Sequence, residues 1–252
     1  MIHRFRNVLL IGFALCLGSD ATVADQGPKA GSQPIALGDD LKVREVAPGY
    51  WVHVAWANDI PANGLIAKTP KGVVLVDPGW NDDQAGRLVA WAEKTLGKPV
   101  AKAIVTHSHN DRSGGADALR RRGVPVLALD LTVAKAKAEE KKTLDALPEM
   151  KGGLYVDPMG FEVFYPGAGH TKDNVVVGFP ADGILFGGCL VKPEDSKVLG
   201  NVADADLSSW PKAIAAVTER YGNAEIVIPG HGPVGGPFAF QRTLDLLRER
   251  SK

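Results

Sequence analysis

The segment Thr106-His107-Ser108-His109-Asn110-Asp111-Arg112 follows directly on a short apolar run, 100–105, and leads into Gly114-Gly115. The run is bounded by Pro99 and the histidines, which predicts a buried strand. Two histidines at i and i+2 on the loop after a strand turn both imidazoles toward one point, and Asp111 lies two residues further along. Three more polar residues occupy the same kind of place. His170 sits in Gly167-Ala168-Gly169-His170 after a strand pattern at 161–165. Cys189 sits in Gly187-Gly188-Cys189 after 183–187, and His231 in Pro229-Gly230-His231-Gly232 after 225–228. Glycine beside each lets the backbone turn sharply or approach a ligand closely. A chain patterned this way delivers several strand ends to one edge, the way α/β folds build active sites.

Imidazole, carboxylate and thiolate are all zinc ligands. Six donors make two sets of three, and three protein ligands with an open position is the catalytic arrangement, whereas structural zinc is closed by four. Of the six histidines, His3 lies at the extreme N-terminus and His53 in an early strand pattern, which leaves four for metal.

The rest of the chain alternates strand and helix patterns. Strands are expected at 41–46, 50–56, 63–69, 72–77, 124–129 and 174–179, with turn signals at Pro48-Gly49 and Pro70-Lys71-Gly72. Helices are expected at 82–96, 114–122, 131 to about 144, 208–221 and 237 to about 248. Strand groups with helices beside them predict layered α/β packing. The hairpin between 50–56 and 63–69 is short, with Asn58-Asp59-Ile60-Pro61-Ala62 at its tip, and Trp56, Ile60 and Trp80 are candidates for apolar contact with a ligand.

Lys+Arg and Asp+Glu both total 29, so the chain lacks the basic excess of a nucleic-acid binder, and no nucleic-acid partner is expected. Arg120-Arg121-Arg122 reads as the solvated end of a helix. Arg4 and Arg6 precede an apolar stretch from Val8 to Leu17, followed by small residues up to Ala24. That describes a signal peptide at 1–24, and the stretch is about half the ~20 apolar residues of a spanning helix. Bulky Leu15 ahead of Cys16 argues against lipidation. Residues 25–38 read as a flexible leader and 39–252 as one domain. The expected mature protein is periplasmic, monomeric, free of the membrane and carries a net charge of about −1. It keeps one cysteine, Cys189. In an oxidising compartment an unpaired thiol is inert, bridged or a metal ligand.

The motifs VDPGW (76–80), THSHNDRSGG (106–115), YPGAGHTKDNVVV (165–177), LFGGCLVKP (185–193), LGNVADADLSSWP (199–211) and VIPGHG (227–232) resemble the metallo-β-lactamases of subclass B1. The resemblance covers about residues 41–250. It implies an α/β fold, a four-layer αββα sandwich with the site in a groove at one edge of the paired sheets. It assigns His107, His109 and His170 to a first Zn2+ and Asp111, Cys189 and His231 to a second. It implies hydrolysis of the β-lactam amide bond of penicillins, cephalosporins and carbapenems by a zinc-bound hydroxide. Asp111 would orient that nucleophile, Lys192 would pair with the substrate carboxylate, and Asn201 would stand near the substrate carbonyl. Arg112 falls where thioesterase-like, lactonase-like and nuclease-like relatives carry a further histidine ligand, and Cys189 where they carry a bridging aspartate. Both favour the lactamase branch over hydrolysis of another ester, thioester or lactone. A non-catalytic exported zinc-binding protein is the other alternative, disfavoured by three donors per metal.

Overall fold

A computed structural model of the chain describes residues 32–139 and 142–250. The expected signal peptide, 1–24, and the start of the leader lie outside the described residues. The first sheet has eight strands in sequence order: β1 (Ile35–Ala36), β2 (Leu41–Ala47), β3 (Tyr50–Ala57), β4 (Ile60–Thr69), β5 (Gly72–Val76), β6 (Val100–Val105), β7 (Val126–Ala128) and β8 (Asp145–Ala146). The second has five: β9 (Leu154–Val156), β10 (Glu162–Phe164), β11 (Val176–Phe179), β12 (Ile184–Gly188) and β13 (Ile226–Pro229), with β13 at one edge and β9 at the other. The helices are α1 (Asp82–Leu96), α2 (Asn110–Ser113), α3 (Ala116–Arg121), α4 (Asp130–Ala138), α5 (Trp210–Tyr221) and α6 (Phe238–Arg250).

Alternation along the strands explains the layers. In β5, Val74 and Val76 point into the space between the sheets, where they meet Val163, Val177, Phe186 and Ile228. Val73 and Leu75 point the other way, onto Leu88, Val89 and Ala92 of α1 and Leu119 of α3. A strand covered on both faces reads as a continuous apolar run, which is what Gly72–Val76 is. The outer face of the second sheet, with Val176, Leu185 and Val227, packs on Ile214 and Val217 of α5 and Phe240 and Leu246 of α6. Three apolar seams therefore make the four-layer αββα sandwich.

The leader, the fourth helix and the β3–β4 hairpin each depart from the sequence reading. The leader is tied down earlier than residue 39: β1 pairs with β2, and Arg87 Nη1 donates to Leu37 O at 2.8 Å. The helix expected to run to about 144 ends at Ala138, because Glu139-Glu140-Lys141-Lys142 offers no apolar residue to bury. The β3–β4 hairpin closes in two residues, Asn58 and Asp59, both left-handed with φ of 49° and 62°, so the strands reach Ala57 and Ile60.

His53 lies opposite Gly64 in the β3–β4 pairing, which leaves room for its ring. It is buried and neither ring nitrogen has a hydrogen-bond partner among the described residues. Burial pushes its pKa down to about 4. The unfolded chain takes up a proton near pH 6.5 that the folded chain refuses, so His53 stabilises the fold fully above pH 6.5. That contribution, about 3 kcal/mol, is lost as the pH falls through 4. Urea unfolding at pH 7 and pH 4 should show a His53→Gln variant losing that much less stability on acidification, and equal losses in both proteins would contradict it.

Candidate metal centre

Hydrogen bonds across the sheet edge gather the expected donors. Val175 N donates to Thr106 O at 2.9 Å, joining the end of β6 to the segment before β11, and Gly230 N donates to Gly188 O at 2.7 Å, joining the ends of β12 and β13. Asn63 N of β4 donates to Gly230 O at 2.8 Å, so the two sheets meet beside His231. A Cβ at Gly230 would stand 2.7 Å from Cys189 N and 2.8 Å from its Sγ, and glycine is required for that approach.

His107, His109 and His170 form one set and Asp111, Cys189 and His231 another, with the donor atoms of each set within 4.8 Å of one another. His107 Nε2 and His109 Nδ1 are 3.1 Å apart, and the three rings stack edge-on at 4.7–5.3 Å between centroids. Burial, reinforced by the mutual repulsion of the imidazoles, pushes His107 and His170 well below the ordinary histidine pKa. Both are therefore neutral, the form that binds metal. The buried Nδ1 of His170 has no hydrogen-bond partner among the described residues.

In the second set, Asp111 Oδ2 lies 3.1 Å from His231 Nε2 and 3.8 Å from Cys189 Sγ. His231 Nδ1 faces Pro61 O at 2.6 Å, which makes Nδ1 the protonated nitrogen and leaves Nε2 for a metal. Burial opposes ionisation of Asp111, but the Arg112 guanidinium and His231 overcome it and hold the carboxyl well below the usual carboxylate range. Arg112 is fully buried. It donates to Asp111 Oδ2 at 2.8 Å, Asn63 O at 2.6 Å and Gly230 O at 2.8 Å, and lies 3.4 Å from Asp77 Oδ2. Imidazoles, a thiol and an ionised carboxylate in two tight sets fit zinc by donor chemistry, although, against burial, Asp111 and Cys189 pull the His231 pKa up to about 9, so a metal there must displace its proton.

The family model described as the metallo-beta-lactamase superfamily matches residues 58–231. The chain belongs to the metallo-beta-lactamase superfamily. A metallo-beta-lactamase type 2 of Bacillus cereus is 42% identical over 216 residues, 82% of this chain and 83% of the relative. Another from Bacteroides fragilis is 31% identical over 226 residues, 85% of this chain and 88% of the relative. The crystal structure of the metallo-beta-lactamase FIM-1 from Pseudomonas aeruginosa, in a mono-zinc form, superposes with a TM-score of 0.80 at 36% identity, covering 86% of this chain and 99% of that one.

In this metallo-beta-lactamase a groove opens beside the donors. Here it measures about 740 Å3, and His109, Asp111, His170, Cys189 and His231 all line it. Lys192 and Asn201 line the same groove. The Lys192 ammonium sits 5.3 Å above the Trp210 ring, without an ion pair among the described residues, and burial lowers its pKa from the ordinary lysine value. Asn201 Oδ1 accepts from Ala203 N at 3.0 Å, so its amide is oriented by the turn and its Nδ2 remains to donate. Ile60 and Trp80 line the groove as expected, but Trp56 does not. It lines a separate hollow on the other side of the hairpin.

Two carboxylates escaped the sequence reading. Asp77, at the end of β5, accepts from Thr106 N and Thr106 Oγ1 at 2.8 Å each and so fixes the start of the His107 loop. An aspartate directly after a buried apolar run was the available signal. Asp204 Oδ2 lies 2.7 Å from His109 Nε2 and 3.3 Å from Lys135 Nζ. Nothing distinguishes it from its neighbours Asp195 and Asp206 in sequence. A carboxylate on the far nitrogen of a ligating imidazole orients the ring, and losing it costs about 10–100-fold in metal affinity. Asp204→Asn should weaken zinc binding by that factor in a chelator competition, and an unchanged affinity would remove Asp204 from this role.

Proposed function

We propose that this protein is an exported zinc-dependent β-lactamase that opens the lactam amide of penicillins, cephalosporins and carbapenems in the periplasm. The reading is carried by one observation: two three-donor sets share a groove with a buried lysine and an asparagine that has free amide hydrogens. His107, His109 and His170 would hold one zinc ion, and Asp111, Cys189 and His231 a second. Zinc bound there supplies a Lewis acid and makes water nucleophilic near neutral pH.

The chain's own residues do the rest. Lys192, partly desolvated and held over Trp210, pairs with the carboxylate that every substrate of this class carries and sets the depth at which the ring lies. Asn201 Nδ2 donates toward the lactam carbonyl oxygen as negative charge builds there, a contribution of roughly 3 kcal/mol for a well-placed donor. Asp111, kept ionised by Arg112, accepts a hydrogen bond from the attacking water and orients it. Ile60 and Trp80 form the apolar side of the groove against the body of the substrate.

The test uses mature protein stripped of metal and then titrated with zinc. Penicillin and carbapenem hydrolysis should vanish on stripping and return with zinc, with two equivalents at saturation. Turnover that survives stripping, or a zinc-loaded protein that leaves both lactams intact, would overturn the reading.

A further inference from the structure

The hollow that takes Trp56 away from the catalytic groove has a chemistry of its own. Strand register explains its walls. Lys42, Val54 and Asn63 stand in one row across β2, β3 and β4, and Arg44 with Val52 stands in the next. Residues directly opposite in adjacent strands share a face, so two cations, two valines and an amide point to the same side. That face is continuous with the core between the sheets, and the turn after His231, with Pro233 and Val234, closes it into a hollow of about 270 Å3. Lys42 lies 5.4 Å above the Trp56 ring. Neither Lys42 nor Arg44 forms an ion pair among the described residues, and no carboxylate lines the hollow.

Asn63 supplies the polar end of the floor. It is 3% exposed, and its Nδ2 donates to Pro229 O at 2.9 Å and Gly232 O at 2.8 Å. Those two bonds fix the amide, and its Oδ1 accepts nothing among the described residues. Apolar walls with a few convergent polar groups describe a small-molecule site. Unpaired cations over valine and indole select charge at one end and an apolar body at the other.

We propose that this hollow, separate from the catalytic groove, binds a small amphiphilic monoanion, a carboxylate on a short aliphatic or aryl body. The carboxylate lies between Lys42 and Arg44, and the body rests on Val52, Val54 and Val234. Gly232 and Pro233 line both the hollow and the catalytic groove.

Methyl NMR of the zinc-loaded protein, titrated separately with 4-phenylbutyrate and octanoate, tests this. Saturable shifts at Val52, Val54 and Val234 are expected with at least one of the two probes below about 10 mM. The tighter probe identifies the body as aryl or aliphatic. Lys42→Ala with Arg44→Ala should weaken binding by about five- to tenfold while lactam hydrolysis stays unchanged. The neutral 4-phenylbutyramide should bind as weakly to the unaltered protein as the acid does to that variant. Shifts confined to Val191 and Leu199 of the catalytic groove, equal affinity in the double variant, or no saturation with either probe would overturn the proposal.

Discussion

Replacing Arg112 with methionine should lower the unfolding free energy of the metal-free protein by about 3–5 kcal/mol, the usual result of removing one partner from a buried ion pair. Methionine fills much of the volume but returns none of the hydrogen bonds to Asn63 O, Gly230 O and Asp111 Oδ2. Two buried carboxylates, Asp111 and Asp77, then lose their counter-charge. Burial already raises the Asp77 pKa to about 7, against the pull of Arg112 and of the Thr106 hydrogen bonds. Without Arg112 it rises further and Asp77 escapes part of the cost by protonation. A carboxyl raised above its unfolded value favours the fold at low pH and loses that contribution as pH rises, so the deficit should be larger at pH 8 than at pH 6. Zinc should reduce the deficit, because a divalent cation on Asp111 replaces the missing charge. Urea unfolding with and without zinc at both pH values measures all of this. A deficit under 1 kcal/mol in the metal-free protein would mean that the carboxylates do not depend on Arg112.

Trp210→Ala should cost a similar amount, about 3–5 kcal/mol, for a different reason: a large cavity in the core. The indole is fully buried, donates Nε1–H to Leu190 O at 2.9 Å, and meets the His170 ring edge-on at 5.8 Å with Lys192 above it. One side chain thus supports His170 and the lysine proposed to grip the substrate. The alanine variant should bind zinc more weakly and show a raised KM for lactams, together with its lower stability. Trp210→Phe refills most of the cavity and leaves only Leu190 O unpaired, a cost of about 1–3 kcal/mol. An alanine variant with normal KM and normal zinc affinity would restrict Trp210 to packing.

These two residues also show how far the sequence could be read. The six residues that gather in the two donor sets were legible because each follows an apolar run and has glycine close by, and the strand ends do converge. Arg112 was legible as a neighbour of Asp111, but its bonds to Asn63 and Gly230 join residues far apart in the chain, and no local pattern announces them. The same holds for Asp204 on His109. Strands rich in apolar residues and bounded by turn signals, such as β3 and β5, fell within a residue of their expected bounds. β1, β8 and β9 were missed, because two or three residues are too few for any periodicity and such strands exist only through the partner they pair with. How the two sheets stack was likewise settled by tertiary burial, with Val74 and Val76 facing one way and Val73 and Leu75 the other.

The β3–β4 hairpin fringes the groove through Ile60, yet Pro61 O holds His231 and Asn63 braces the turn that carries it. Reshaping the groove through this hairpin therefore draws on the scaffold that holds His231. Ile60 at the groove and the supports of His231 at Pro61 and Asn63 belong to four consecutive residues of one strand, so a shift of that strand moves both together.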